Sequence, residues 1–330
     1  MSRVAAHESR RQWWTAGAAC LLAGGLLAGL VGCGFISAPR DEAPARIVIP
    51  PPEAGHLRWN NDPTLAFSPD GSRLAYLVFQ DDGSRQIHVR NMGAGRTRAV
   101  PGTEGGDTPF FSPDGQWLGF FADGSLKKVA LRGGEAVTLT PKATNLRGAS
   151  WGPNGNIVFN LTDSDVLYEV SADGGEPRQL TTLDEGETSH RWPQFLPDGS
   201  AVLFTIARTD NPDDSEIAAL RIDSGEKKLL VRGGTFGRYA TTGHLVYHRG
   251  GAILAVGFGS AALEATGMPT PVAEGILGSP PDTLTGVAQF TFSTTGTLAY
   301  VQAGELAGVY QIHVWPNWFE ELRRTASAAQ

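Results

Sequence analysis

Phe67-Ser68-Pro69-Asp70-Gly71 and Phe111-Ser112-Pro113-Asp114-Gly115 are the same five residues, 44 positions apart. Pro presets φ, Asp bonds its own backbone two residues on, and Gly accepts φ > 0, so each copy reads as a tight turn. Short apolar stretches flank it, which makes each turn the tip of a β-hairpin. Working outward, Gly recurs at Gly71, Gly115, Gly155, Gly199, Gly243 and Gly296, at spacings of 44, 40, 44, 44 and 53. Four residues before each stands an aromatic: Phe67, Phe111, Trp151, Phe195, Tyr239 and Phe292. Four or five residues after each stands another: Tyr76, Phe120, Phe159, Phe204, Tyr247 and Tyr300. Aromatics are only 9% of the chain, so twelve matches at twelve positions mark a repeat.

A third strand follows each hairpin: Gln86–Arg90, Leu126–Leu131, Leu167–Val170, Glu216–Ile222, Ile253–Phe258 and Gln311–Trp315. Five copies continue into a fourth: Thr97–Val100, Ala136–Thr140, Arg178–Thr181, Lys227–Val231 and Thr270–Ala273. Four strands per 40–45 residues is the period of a propeller blade. The sixth copy lacks a fourth strand of its own, and the orphan triplet Ile47-Val48-Ile49 can supply it. Closing the ring in that way removes an open sheet edge. The expected fold is all-β, a six-bladed propeller of four-stranded antiparallel blades preceded by an N-terminal membrane-targeting helix. Turns five and six carry Thr241-Thr242 and Thr294-Thr295 where the others carry Pro with Asp or Asn. The expected organisation is a signal or anchor over 1–38, a linker with the closing strand over 39–52, the propeller over 53–315, and a short helix and tail over 316–330.

Composition narrows the function. The 330 residues carry a net charge of −7, with 27 Lys+Arg against 34 Asp+Glu. No basic surface for nucleic acid is expected. Gly at 42 and Pro at 21 exclude a coiled coil. Both cysteines, Cys20 and Cys33, lie in the first tenth of the chain, so the body has no disulfide framework and no Cys-based site. Arg3, Arg10 and Arg11 precede an uncharged run from Gln12 to Pro39. That pattern predicts a membrane-targeting segment with its basic side cytoplasmic and the body exported. Two versions stand open. The run is long enough to stay as a helical anchor. Leu30-Val31-Gly32-Cys33 resembles the bacterial lipobox, which implies cleavage before Cys33 and lipidation of its sulfur. Ser9-Arg10-Arg11-Gln12-Trp13 partly matches a twin-arginine signal. Without residues 1–32 the chain keeps 24 basic and 33 acidic residues, so its own surface does not favour anionic lipid.

The Phe-Ser-Pro-Asp-Gly copies resemble the TolB-type, WD-repeat-like propeller repeat over most of residues 60–300. The chain is further similar to the extracytoplasmic propellers of bacterial transmembrane serine/threonine kinases. That likeness rests on Val48-Ile49-Pro50-Pro51-Pro52, Phe120-Phe121-Ala122-Asp123-Gly124-Ser125-Leu126-Lys127-Lys128, Thr188-Ser189-His190-Arg191-Trp192-Pro193-Gln194-Phe195 and Asn317-Trp318-Phe319-Glu320-Glu321-Leu322. The kinase itself is absent. No Gly-rich loop, catalytic loop or Asp-Phe-Gly is present, and His190-Arg191 is followed by Trp192 where a catalytic loop needs Asp.

Other motifs yield to the repeat. Gly148-Ala149-Ser150-Trp151-Gly152 matches a nucleophile elbow, but Trp151 falls on the repeat aromatic, so Ser150 is a strand residue. Asp210, Asp213, Asp214 and Glu216 read as a solvated hairpin tip and lack the spacing of a calcium loop. Trp318, Phe319 and Leu322 read as a cap on the propeller.

The functional surface follows from topology, because the first strand of each blade lines the channel. The residues leading into those strands set the expected rim: Asn60, Asp107, Arg147, His190, Arg191, Trp192 and Arg238. Three arginines from successive blades suit an anionic ligand or acidic peptide, with local carboxylates as the competing partners. The reading is a non-catalytic, membrane-tethered, monomeric module that binds a protein, peptide or envelope ligand at its rim, with no cofactor or metal. An enzyme of hydrolase or lyase type needs paired carboxylates or a metal set, and the rim offers Asp107 alone. A structural envelope protein without a ligand is the third reading.

Overall fold

The computed structural model describes residues 46–50, 52, 55–58, 62–144, 147–161, 166–209, 211–279, 285–304 and 310–327. The chain divides into Met1–Ala43 and Pro44–Gln330, and every described residue belongs to the second unit. Among the described residues no helix is long and apolar enough to cross a membrane. The segment expected to target the membrane, with the candidate lipidation residue Cys33, lies outside them.

Six four-stranded antiparallel sheets follow one another along the chain. Blade 1 runs Leu65–Phe67, Arg73–Phe79, Arg85–Asn91 and Thr97–Glu104. The first strands of blades 2 to 6 are Asp107–Phe111, Ala149–Trp151, Ser189–Phe195, Thr235–Ala240 and Phe290–Phe292. The four turns that carry Asp or Asn work as their chemistry dictates. Asp70 Oδ1 accepts from the Ser72 amide at 3.0 Å and the Ser68 hydroxyl at 2.6 Å, and Gly71 takes φ 72°. Asp114, Asn154 and Asp198 each accept from the amide two residues on.

The ring closes through the donated strand. Ile47, Val48 and Ile49 pair antiparallel with Val314, His313 and Ile312, as the outer strand of blade 6. Three outer strands depart from expectation: in blade 1 Thr97–Val100 extends to Thr97–Glu104, in blade 3 Arg178–Thr181 shortens to Arg178–Gln179, and blade 5 departs most. Thr270–Ala273 was the expected extent in blade 5, and the strand runs Glu264–Glu274 with two register shifts. Gly267, Pro269 and Pro271 interrupt the alternating pattern, yet an outer strand tolerates them because one of its edges needs no donors.

The buried apolar residues form six clusters, each joining adjacent blades, and the cluster between blades 5 and 6 also takes in Trp192 of blade 4. The aromatics that follow the turns, Tyr76, Phe120, Phe159, Phe204, Tyr247 and Tyr300, are all buried in these seams. The C-terminal helix Trp318–Ser327 adds Trp318, Phe319 and Leu322 to the seam between blades 5 and 6.

Candidate binding channel

The other aromatic set does different work. Phe111, Trp151, Phe195, Tyr239 and Phe292 surround a cavity of about 320 Å³ at the channel end that carries the hairpin turns. Pro69, Pro113, Pro153 and Pro197 border it, and Phe319 of the C-terminal helix joins the collar. Phe319 meets Phe292 edge-on at 5.7 Å. A second cavity of about 210 Å³ shares Phe111, Ser150, Trp151, Gln194 and Phe292 with the first and extends along the first strands. In the two linings together one side chain is charged, Arg238, and none is His, Cys, Asp or Glu.

The residue just before the collar aromatic reaches the next blade in blades 3, 4 and 6. There it accepts a hydrogen bond from the next blade's aromatic amide. Ser150 Oγ accepts from Phe195 N at 2.9 Å, Gln194 Oε1 from Tyr239 N at 2.6 Å, and Thr291 Oγ1 from Phe67 N at 3.4 Å. These bonds satisfy amides on the free edge of the innermost strand, which has no ladder partner there. Arg238 occupies the same position in blade 5, and a guanidinium only donates. Its Nη1 donates to Trp192 O at 2.9 Å and Gly237 O at 3.0 Å, and its Cζ lies 3.8 Å from the Phe236 ring centroid. Burial pushes its pKa down to about 9, so it is charged at neutral pH. Among the described residues no carboxylate lies within ion-pair distance of it.

The expected rim proves to be largely wall. Asp107, His190 and Trp192 are 1%, 0% and 0% exposed, so none presents a surface to a ligand. The cause is a bulge repeated in successive first strands. Thr108, Gly148, Trp192 and Phe236, each three residues before its collar aromatic, all have positive φ, between 49° and 85°. Register shifts follow at Asp107/Phe110, Arg191/Gln194 and Thr235/Arg238. The bulge re-aims the neighbouring side chains into the seams. Asp107 sits 3.4 Å from Arg85 and accepts from the Thr108 amide. His190 contacts Thr181 Oγ1 at 2.8 Å and Glu187 Oε2 at 3.0 Å. Burial lowers the His190 pKa against the pull of Glu187. Burial acts to raise Glu187, but the Asp184 amide, Lys227 and His190 hold it below the ordinary value. Arg147 lies over the Trp192 ring at 5.9 Å, and Arg191 donates to Ser189 Oγ and Thr285 O. Of the three arginines, Arg238 lines the inner cavity. Asn60 lies outside the described residues.

The acidic stretch behaves as a turn. Asn211 caps a 3-10 turn over Pro212–Asp214, and Glu216 is buried between Arg208 and Arg232. Asp210 lies outside the described residues. Among those described, no group of three or more His, Cys, Asp or Glu is placed to hold a metal.

A family model described as the TolB beta propeller domain matches residues 61–239. The chain belongs to the TolB beta propeller family. This TolB-type chain is 27% identical over 186 residues to dipeptidyl-peptidase 5 of Porphyromonas gingivalis, a match over 50% of this chain and 26% of that protein. It is 25% identical over 200 residues to the uncharacterized peptidase YuxL of Bacillus subtilis, over 46% of this chain and 30% of that protein. The TolB-type chain therefore spans between a quarter and a third of the length of these curated relatives. Among solved structures, TolB from Acinetobacter baumannii superposes with a TM-score of 0.51 at 18% identity, over 64% of this chain and 55% of that one. A likeness at that identity speaks to the fold alone.

The collar was missed in sequence as a site, although its signal was the repeat itself. Two aromatics per copy were visible, and nothing local separates the set that fills seams from the set that faces the channel.

Proposed function

We propose that this TolB-type propeller is a non-catalytic binding module that takes its ligand into the central channel. The observation that carries the reading is the continuous pair of cavities, lined by aromatics, prolines and one arginine. The collar cavity, of about 320 Å³ and mainly apolar, matches the common form of a ligand site, and the inner cavity adds Thr108, Ser150, Gln194, Thr291 and Arg238 as polar groups. Hydrolysis or lysis needs a general acid and base or a metal, and the described lining holds no carboxylate or imidazole to serve. The peptidase relatives favour a peptide as the ligand, in the sense that related propellers occur in proteins named as peptidases. The body is proposed to stand outside the cytoplasm, tethered through the N-terminal segment.

The test is a thermal-shift screen of the full chain in detergent against a defined tetrapeptide library, repeated with Ala66→Phe. Ala66 lines the inner cavity; its counterpart Phe110 lays its ring over Gly119, but blade 1 has Ala75 there, so a ring at position 66 is turned out into the cavity. Saturable stabilisation that Ala66→Phe removes is expected, with every peptide recovered intact by mass spectrometry. Cleaved peptides would establish the enzyme reading instead. For location, a reporter active only in the cytoplasm and fused after Gln330 should be silent. The mass of the mature N-terminus then separates a diacylated Cys33 from an intact anchor.

A further inference from the structure

Arg238 breaks a rule that its counterparts keep. At its position Ser150, Gln194 and Thr291 each accept the next blade's collar amide. By repeat position the corresponding amide for Arg238 is that of Phe292, which lines the same cavity. Ser293 N donates to Thr297 O, so the ladder phase turns the Phe292 amide outward, away from its partner strand. Arg238 offers that donor no acceptor, and its guanidinium turns back to Trp192 of blade 4. Both of its protein acceptors, Trp192 O and Gly237 O, are bound through Nη1. The Nε–Nη2 edge, which is the edge that takes a carboxylate in bidentate fashion, has no acceptor among the described residues. A departure from local consistency at one position of a repeat is expected at functional or strained places.

We propose that Arg238 and the Phe292 amide form a carboxylate site, and that the channel receives the C-terminal end of a peptide with apolar side chains resting on the collar. This rests on the channel reading above. Charge complementarity selects the end. A chain that reaches Arg238 from the collar side enters end-first, because a loop would need room for two strands abreast in cavities of about 320 and 210 Å³. An amino terminus would bring a cation against the guanidinium, and a carboxyl terminus brings the acceptor that both donors lack. Trp151, Tyr239 and Phe292 then offer flat apolar faces to the last side chains. Burial, which lowers the Arg238 pKa, makes a counter-anion here worth more than at an exposed arginine.

The experiment is calorimetric titration of the full chain with acetyl-Ala-Leu-Phe as the free acid, the same peptide as its amide, and acetyl-Ala-Glu-Phe amide. The free acid is expected to bind at least tenfold more tightly than either amide. Arg238→Gln should erase that difference. Its melting temperature should hold or rise, because Gln can accept the Phe292 amide as Gln194 accepts that of Tyr239. Equal binding of acid and amide, both abolished by Ala66→Phe, would overturn the carboxylate site and leave the channel reading standing. Binding that survives Ala66→Phe would overturn both. A glutamyl amide as tight as the acid would overturn the chain-end assignment, and no binding of any of the three would overturn the peptide proposal. These comparisons on the unmodified protein hold even where Arg238→Gln folds poorly. A fall in its melting temperature with the acid preference intact would assign Arg238 to structure.

Discussion

Gly148 stands in the repeated bulge where its counterparts are Thr108, Trp192 and Phe236. The positive φ is tolerated by those residues because the seams hold them. Gly148 differs in what stands over it: a Cβ there would lie 3.3 Å from both Cα and Cε3 of Trp192. Gly148→Ala should therefore lower stability by about 1–2 kcal/mol, combining left-handed backbone cost with a tight contact. Urea denaturation at constant m-value measures it, and an unchanged midpoint would show that Trp192 yields freely. The same residue scale explains Trp192 itself. Its amide donates to Arg147 O at 2.8 Å, and its ring meets Phe236 at 5.8 Å, so one bulge ties three blades.

The closing strand is a three-residue element with two unlike faces. Ile49 is buried in the seam between blades 6 and 1, whereas Ile47 and Val48 are largely exposed at the outer edge. Ile49→Ala should cost about 2–5 kcal/mol, and Val48→Lys should change stability by less than about 0.5 kcal/mol. Deleting residues 46–50 should do more, since it opens the ring and bares the edge of Ile312–Trp315. Equal effects of the two point substitutions would mean that the triplet does not seal the seam. The C-terminal helix is the second element with a double role. Phe319→Ala should destabilise by about 3–5 kcal/mol, and it should widen the collar mouth as well. Loss of stability without any change in peptide affinity would separate the helix from the site.

At the scale of the whole molecule, stability resides in six apolar seams with polar links between them, and those links titrate. His190 and His248 are buried, and burial lowers the pKa of each below the ordinary imidazole value. Glu187 and Asp184 draw His190 the other way while Lys227 adds to the lowering, and Asp213 draws His248 upward. A group with a depressed folded pKa binds more protons when unfolded, so its contribution is complete above the unfolded value and is lost as pH falls through the folded one. Melting temperature should therefore fall steadily from pH 7.5 to 5. The turn carboxylates repeat the pattern lower down. Asp70 and Asp114 are held below the ordinary value first by the Ser68 and Ser112 hydroxyls, and Asp198 first by the Ser200 amide. A second loss is expected below about pH 4. A flat profile between pH 7.5 and 5, in wild type and His190→Gln alike, would show that His190 is not buried neutral.

The turns, the blade count and the donated strand were legible in the sequence, because they rest on local chemistry and on period. Pro-Asp-Gly makes a turn wherever it stands, and a 44-residue spacing of Phe67 and Phe111 makes a blade. The cap residues Trp318, Phe319 and Leu322 were legible for a similar reason, as large apolar groups with nowhere else to go. The long outer strand of blade 5 was not, because prolines that exclude an inner strand are harmless at an edge. The rim reading failed at Asp107, His190 and Trp192 through a bulge that has no sequence signature, since Thr, Gly, Trp and Phe all occupy its positive-φ position. Which aromatic faces the channel, and that Arg238 stands where its counterparts accept an amide, depends on residues some 40–50 positions apart meeting across a seam. Only closure of the ring brings them together, and so only the tertiary structure decides where a ligand would find its charge.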